Sequence, residues 1–291
     1  MNAGKPEFVL YGHHKCASSS INRFLWRATA ALGKSFCSFN SDEDAGGSIK
    51  KSAQNIGLEV LSIRNAIWDH AEEFPEVRGV HCIRDPRDVL VSGYFSHLKT
   101  HRIFDDEMAD ERKMLNSLSQ DEGLIAAMDG ITGKTLIEMG EWQYGQFEEI
   151  IELRLEELSL DWVKGLQSIV EHAGWLGEES TQGDSLYGLG VLKLNTASHR
   201  FIGKRVLKRS RLRYQEFLRL ADGVSFKKLS GGRKPGQTDT SSHYRSGKHG
   251  DWESYFTPAV EKAFKERFQD LVPKLGYDDS DDWTANSDRD K

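Results

Sequence analysis

A short loop near the N-terminus combines one lysine with three hydroxyl side chains, a set suited to binding phosphate or sulfate. The loop, Lys15-Cys16-Ala17-Ser18-Ser19-Ser20, follows the apolar run Phe8–Tyr11. After the loop, apolar residues recur at helical spacing, at Ile21, Leu25, Ala28 and Leu32. We therefore expect a buried strand and an amphipathic helix, with the loop at the N-terminus of the helix. Its backbone N–H groups and the positive end of its dipole would favour an anion.

The order of residues in this loop separates it from a nucleotide triphosphate loop. That loop requires G-x-x-x-x-G-K-[ST], whereas here Lys15 precedes the small and hydroxyl residues. An ordinary strand-to-helix turn, with a serine cap and an exposed lysine, is the alternative that this segment alone leaves open.

A second segment also predicts a strand that leads into a helix. Gly79–Ile83 is followed by Arg84-Asp85-Pro86-Arg87-Asp88-Val89-Leu90-Val91-Ser92-Gly93-Tyr94. Asp85 can cap the helix, Pro86 suits its first position, and Asp88 puts a carboxylate in its first turn. The helix start does not require Arg84 at the strand end or Ser92 two turns later. A guanidinium and a hydroxyl suit a dianionic phosphate, since charge-assisted hydrogen bonds are strong.

The third segment lies near the C-terminus and is rich in glycine and charge. It reads Arg245-Ser246-Gly247-Lys248-His249-Gly250-Asp251-Trp252, with Tyr255-Phe256-Thr257-Pro258 after it. On its own this composition indicates a polar surface loop.

Together and in this order, the three segments resemble those of sulfotransferases that use 3′-phosphoadenosine-5′-phosphosulfate (PAPS). The resemblance implies that the first loop holds the 5′-phosphosulfate through Lys15, Cys16, Ala17, Ser18, Ser19 and Ser20. It implies that Arg84 and Ser92 bind the 3′-phosphate, and that Arg245, Ser246 and Gly247 contact the same group. Ser246 stands where the family usually has lysine, which removes one positive charge.

The same resemblance implies a fold and a reaction. The expected fold is three-layered α/β, with a central, mainly parallel sheet, helices on both faces and a P-loop-like sulfotransferase topology. The expected reaction moves a sulfuryl group from PAPS to a hydroxyl or amine of a small molecule. Lys15 would stabilise the leaving nucleotide, and no metal is required.

The residue that deprotonates the acceptor is harder to place. Cytosolic members of the family carry a histidine after the second strand, and the comparable run Leu61–Ala66 has none. We favour His70 because the ordinary pKa of histidine suits a general base. Asp69, Glu59 and His14 are the alternatives.

Two other functions remain open from the sequence. One is a P-loop-like phosphotransferase that uses ATP, although the required glycine-lysine pattern is missing. The other is a nucleotide-binding relative without activity, which the missing histidine and Ser246 would allow.

Length and composition predict one domain over residues 1–291, with an acidic tail from about residue 278 that frays. A net charge of −6 argues against nucleic acid as a partner, and no apolar run is long enough to cross a membrane. Cys16, Cys37 and Cys82 show neither metal-ligand spacing nor an even disulfide set. We expect a cytoplasmic enzyme with a small-molecule acceptor. The sequence leaves open whether it is a monomer or a homodimer.

Overall fold

The structure is a computed structural model. It describes residues 5–103, 106–177, 184–234, 236–237, 239, 242, 245, 247 and 249–285. They form two compact units built from interleaved segments of the chain. The first unit contains residues up to 13, 17–83 and 143–229. The second contains 14–16, 84–142 and the chain from 230 onward. The expectation of a single domain over 1–291 stays a prediction.

The secondary-structure elements are numbered in chain order. The strands are β1 Phe8–Gly12, β2 Phe36–Phe39, β3 Val60–Ile63, β4 Arg78–Ile83 and β5 Ile150–Arg154. The first helices are α1 Ser18–Leu32, α2 Ile49–Asn55, α3 Trp68–Glu72, α4 Pro86–Phe95, α5 Asp106–Leu115, α6 Gln120–Ala127 and α7 Ile131–Glu141. The later helices are α8 Leu155–Leu160, α9 Trp162–His172, α10 Asp184–Ile202, α11 Tyr214–Asp222, α12 Phe226–Leu229, α13 Pro258–Phe268 and α14 Leu271–Lys274. A π-helix covers Ser96–Thr100, and a 3₁₀ turn covers Asp251–Ser254.

The first unit contains a parallel sheet whose strands, among the described residues, number five in the order β2-β3-β1-β4-β5. Each neighbouring pair is parallel, as in the register Phe8 opposite Val60 on one side and Arg78 on the other. β1 is therefore the central strand. The predicted α/β class is confirmed, and the sheet is parallel throughout rather than mainly so.

Both faces of β1 are buried, which explains why its sequence is apolar without alternation. Phe8 and Leu10 belong to a hydrophobic core that includes Leu25 of α1, Ile169 of α9 and Phe217 of α11. Val9 and Tyr11 point to the opposite face and are also fully buried. The strand thus sits in the interior of the unit, and the loop that follows it emerges at the carboxyl end of the sheet.

The second unit is helical in its described part. Gly93 permits close packing of α4 on α7, because a Cβ at this position would lie 2.2 Å from Thr132 Oγ1. The last described segment, which reaches Ala285, packs on this unit as well. Trp283 is 6% exposed, and its ring contacts those of Trp252 and Phe264 at centroid distances of 5.5 and 5.9 Å.

The buried Trp283 corrects the prediction of a frayed tail for the part that is described, which reaches Ala285. The acidic run Asp278–Asp282 suggested a solvated end, but the tryptophan beyond it anchors the chain. Residues 286–291 lie outside the described residues. In the described part of the chain, no helix combines the length and apolar character needed to cross a membrane.

Candidate functional site

Helix α1 begins at a tight turn in which the residue before the helix is left-handed. Ala17 is the residue before the helix and adopts a left-handed conformation with φ 59°. Its carbonyl accepts hydrogen bonds from the N–H groups of Ser20 and Ile21, at 3.0 and 3.2 Å. Ala17 offers no side-chain cap, and the first turn holds no acidic residue. The positive end of the helix is therefore not neutralised by a carboxylate of its own turn.

The hydroxyl residues of this turn differ in exposure. Ser18 is half-buried, Ser19 is exposed and Ser20 is buried. The predicted strand, loop and helix are all present, so the local structure that the sequence indicated is confirmed. The ligand assigned to these residues stays a prediction.

In the second unit, Lys15 and Arg84 come together although 69 residues separate them. Arg84 directly follows β4 and donates from its guanidinium to the carbonyl oxygen of Lys15 over 3.4 Å. The same guanidinium lies 3.6 Å from the carboxylate of Asp88, one turn into α4. The first and second sequence segments thus meet at Arg84.

Asp88 joins the second segment to the third. Its buried carboxylate accepts from the backbone N–H groups of Gly250 and Trp252, at 2.8 and 3.0 Å. From the sequence, the only role predicted for Asp88 was a favourable interaction of its carboxylate with the helix dipole. Its contacts show a further role, because it fixes the Gly-rich segment to α4.

Arg245 reaches the same unit from the third segment. Its guanidinium forms an ion pair with Asp251 at 2.8 Å and donates to the hydroxyl of Tyr255 over 3.3 Å. It also lies over the ring of Phe95, 5.2 Å from the centroid. Because the guanidinium is held by charge, hydrogen bond and ring, its position is well determined.

The electrostatic state of Lys15 reflects this surrounding. Burial first, and repulsion from Arg84 and Arg245 after it, together lower the pKa of its ammonium group to about 7. Three cations from three separate segments therefore act on one another. Such a group is stabilised when an anion binds among its members.

The other predicted binding residues of this unit are placed as follows. Cys16 is buried, and its thiol lies 3.8 Å from the carbonyl oxygen of His14. Ser92 is half-buried on α4, one turn after Asp88. Gly247 is exposed and has φ 62°, a conformation that favours glycine. Ser246 lies outside the described residues.

His70, predicted as the general base, has a structural role in α3. Its Nδ1 accepts from the backbone N–H of Ile67 over 3.2 Å, and its Nε2 lies 3.3 Å from a carboxylate oxygen of Asp42. Nδ1 must be unprotonated to accept this hydrogen bond. Nε2 therefore carries the ring proton and donates a hydrogen bond to Asp42. These contacts cap the helix and engage both ring nitrogens. The assignment of His70 as general base stays a prediction.

A chain of buried ionisable side chains in the first unit was missed by the sequence reasoning. His13 Nε2 lies 2.8 Å from His81 Nε2, and His81 Nδ1 lies 2.5 Å from a carboxylate oxygen of Glu152. Tyr144 packs on His81 with ring centroids 5.6 Å apart. The pairing of β4 with β5 sets His81 opposite Glu152. A histidine inside an otherwise apolar strand was the available signal.

Burial sets the protonation of this chain. It lowers the pKa of His81 well below its usual value, so His81 is neutral at pH 7. A neutral His81 that donates from Nδ1 to Glu152 must accept at Nε2, and His13 then donates from its own Nε2. The pKa of His13 is likewise lowered, by burial first and by His81 second. Each hydrogen bond of the chain therefore has a defined direction: His13 donates to His81, and His81 donates to Glu152.

Comparison with known proteins supports the fold. A search of solved structures finds the crystal structure of mouse sulfotransferase SULT7A1 complexed with PAP, with a TM-score of 0.54. The two chains are 14% identical, and the match covers 94% of this chain and 87% of the mouse chain. The likeness is one of fold. No protein-family model and no curated protein sequence matches the chain. The parallel α/β architecture is thus that of a sulfotransferase structure, and activity is a separate question.

Proposed function

We propose that this protein is a sulfotransferase that uses PAPS and transfers its sulfuryl group to a hydroxyl or amine of a small molecule. One observation carries the proposal. Lys15, Arg84 and Arg245 come from three segments that resemble the three PAPS-binding segments, and they interact electrostatically within one compact unit. The solved structure of similar fold holds PAP, and this likeness supports the same ligand here. PAP is 3′-phosphoadenosine-5′-phosphate, the nucleotide that remains when PAPS has lost its sulfuryl group.

Charge explains why a polyanionic ligand suits this unit. Burial and the two arginines disfavour the charged form of Lys15. Asp88 and Asp251 offset the formal charge of the two arginines, so the excess positive charge of these five groups is that of Lys15 in its protonated form. A phosphate in contact with the cations would offset their repulsion and provide strong charge-assisted hydrogen bonds.

The 3′-phosphate is the group that distinguishes PAPS from ATP, and we assign its recognition to Arg84, Ser92 and Arg245. Arg84 is held by Asp88 and by the carbonyl of Lys15, so its guanidinium is oriented before a ligand arrives. Arg245 is held by Asp251 and Tyr255. Preorganised donors bind with a smaller loss of side-chain entropy. Gly247 and Ser246 complete the set that the resemblance implies.

We assign the 5′ end of the nucleotide to the loop Lys15–Ser20, where serine hydroxyls and backbone N–H groups would hold the phosphate. In the transfer step, a bond forms between sulfur and the acceptor oxygen or nitrogen, and the bond from sulfur to the bridging oxygen breaks. The acceptor proton passes to solvent, and PAP departs with the electrons of the broken bond. The Lys15 ammonium would stabilise the charge that develops on the bridging oxygen.

Two competing functions predict different ligands. A phosphotransferase would prefer ATP with Mg²⁺, and a relative without activity would bind PAP but transfer nothing. The buried Arg84 at the start of α4 favours the first proposal over the phosphotransferase, because ATP lacks a 3′-phosphate for this arginine.

The first experiment is calorimetric binding of PAP, 5′-AMP and ATP to the wild type, Arg84→Ala and Arg219→Ala. Arg219 is an exposed arginine on α11 and serves as the matched control. We expect PAP to bind more tightly than the other two nucleotides. Arg84→Ala should weaken PAP binding by about 10- to 100-fold, the loss of hydrogen bonds to a charged group. Preferred binding of ATP, or equal loss in Arg219→Ala, would refute the assignment.

The second experiment separates binding from transfer. Labelled PAPS is incubated with a panel of phenols, alcohols and amines, using the wild type and Lys15→Met. We expect transfer by the wild type and a loss of about 100-fold or more in Lys15→Met, while PAP still binds. Tight PAP binding without transfer to any acceptor would instead support the relative without activity.

A further inference from the structure

Three histidines of the second unit form a cluster that the proposed nucleotide site does not use. They are His14, His97 and His101, and each offers one ring nitrogen such that the three atoms lie within 4.8 Å of one another. The Nε2 atoms of His14 and His97 are 2.9 Å apart. His101 packs on both rings, with centroid distances of 5.1 and 5.3 Å.

The backbone between His97 and His101 is wound as a π-helix, Ser96–Thr100, which directly extends α4. The N–H of His101 donates to the carbonyl of Ser96 over 2.7 Å and so closes the wide turn. In this geometry residues four apart project from nearly the same side, which places the two histidines together. π-helical turns are rare and occur frequently at functional sites.

Side chains of α5 hold this turn in place. Arg112 donates from Nε to the carbonyl of His97 over 2.7 Å, and from its terminal nitrogen to the carbonyl of His101. One arginine therefore fixes the backbone of both histidines. Such support limits the rearrangement needed for a ligand that requires both rings.

Glu111 orients the ring of His97. Its buried carboxylate lies 3.2 Å from His97 Nδ1 and accepts the proton there, so Nε2 of His97 carries a lone pair that faces the cluster. A carboxylate behind a histidine is the usual outer partner of a metal-bound imidazole. It sets the tautomer and raises the basicity of the ring.

We propose that His14, His97 and His101 bind a divalent transition metal, with Zn²⁺ as the best fit. Zinc takes imidazole nitrogens at about 2.0–2.1 Å in a tetrahedron, which separates the ligand atoms by about 3.3 Å. The spacing of the cluster requires only small ring movements to reach that arrangement. Three nitrogen ligands leave a fourth position for water or another small ligand, and they disfavour Ca²⁺ and Mg²⁺, which prefer oxygen.

No motif in the sequence indicated this site. The 83 residues that separate His14 from His97 hide the cluster, and the cysteine spacing had suggested no metal. The proposal is independent of the nucleotide function. His14 precedes Lys15 in the chain, but neither site requires the other to be occupied.

The test uses the full-length protein without an affinity tag, freed of metal by a chelator and titrated with Zn²⁺ by calorimetry. We expect one equivalent to bind the wild type and no stoichiometric binding in the double variant His97→Ala/His101→Ala. Glu111→Gln should weaken binding by about 10- to 100-fold. His199→Ala is the control, since His199 is exposed on α10 and should leave zinc affinity unchanged.

Absorption with Co²⁺ in place of zinc identifies the ligands in the wild type without relying on a variant that folds. We expect the bands of four-coordinate cobalt and no thiolate-to-cobalt charge transfer, and Cys16→Ala should give the same spectrum. Absence of stoichiometric binding, unchanged binding in the double variant, or a thiolate band would each overturn the proposal. PAP calorimetry on the same samples shows separately whether the nucleotide site is intact.

Discussion

Acidification should destabilise the protein in a way that depends on His81. Its side chain is fully buried in β4, and burial holds its pKa well below the ordinary value. The folded state therefore keeps His81 neutral, whereas the unfolded chain takes up a proton below about pH 6.5. Stability from this group is fully present above that pH and is lost as the pH falls below it.

The magnitude follows from linkage. Once the unfolded histidine is protonated and the folded one is not, each pH unit costs about 1.4 kcal/mol. Integrated from pH 7.5 to 5, a group with an unfolded pKa of about 6.5 contributes a loss of about 2 kcal/mol in the free energy of unfolding. His13 titrates in the same direction and remains present when His81 is replaced, so the variant isolates one histidine.

The assay is urea unfolding followed by far-ultraviolet circular dichroism at several pH values, for the wild type, His81→Asn and the control His199→Asn. An asparagine can accept from His13 and donate to Glu152 but does not titrate. We expect the stability difference between wild type and His81→Asn to shrink by about 2 kcal/mol between pH 7.5 and 5. The control should keep the pH dependence of the wild type.

The opposite pH dependence would show that His81 is charged in the folded state. His81 lies 2.5 Å from Glu152, so a charged pair is the competing arrangement. If that pair formed, the folded pKa of His81 would be raised, and the wild type would gain stability over His81→Asn as the pH fell. A widening difference, or parallel curves, would refute the neutral chain described above.

Two further predictions concern packing and backbone strain. Trp283→Ala should lower the free energy of unfolding by about 3–5 kcal/mol, because the buried indole also lies under Arg87; chemical denaturation measures this, and a change near zero would show that the tail does not anchor the chain. Ala17→Gly should raise the stability by about 1 kcal/mol, since glycine adopts φ 59° without strain; the same assay measures it, with Ala28→Gly inside α1 as a control that should be destabilised.

Local signals in the sequence predicted the local structure well. The cap of α4 by Asp85 and the proline at its first position are both present. These features depend on neighbours within one helical turn. Apolar runs such as Phe8–Tyr11 likewise predicted buried parallel strands, because burial of both faces leaves little room for polar residues.

Contacts between distant segments were beyond this reasoning. The carboxylate of Asp88 accepts hydrogen bonds from the N–H groups of Gly250 and Trp252, more than 160 residues further along the chain. Only its role in the first helical turn was predictable. The pairing of His81 with Glu152 depends on strand register, which one sequence does not contain. The assignment of His70 as general base stays a prediction, and the hydrogen-bond partners of its two ring nitrogens could not be foreseen from residue type.

Backbone strain gives an argument for the loop that does not depend on family resemblance. Among the described residues, those other than glycine with φ between about +20° and +160° are Lys15 at 68° and Ala17 at 59°, on either side of Cys16. Each costs about 1–2 kcal/mol relative to a right-handed conformation. Such strain persists where the surroundings impose it, and it concentrates at ligand sites. The strained turn comes directly before the N-terminus of helix α1 and includes a lysine. Because the strain lowers stability, its presence indicates that the turn serves a function.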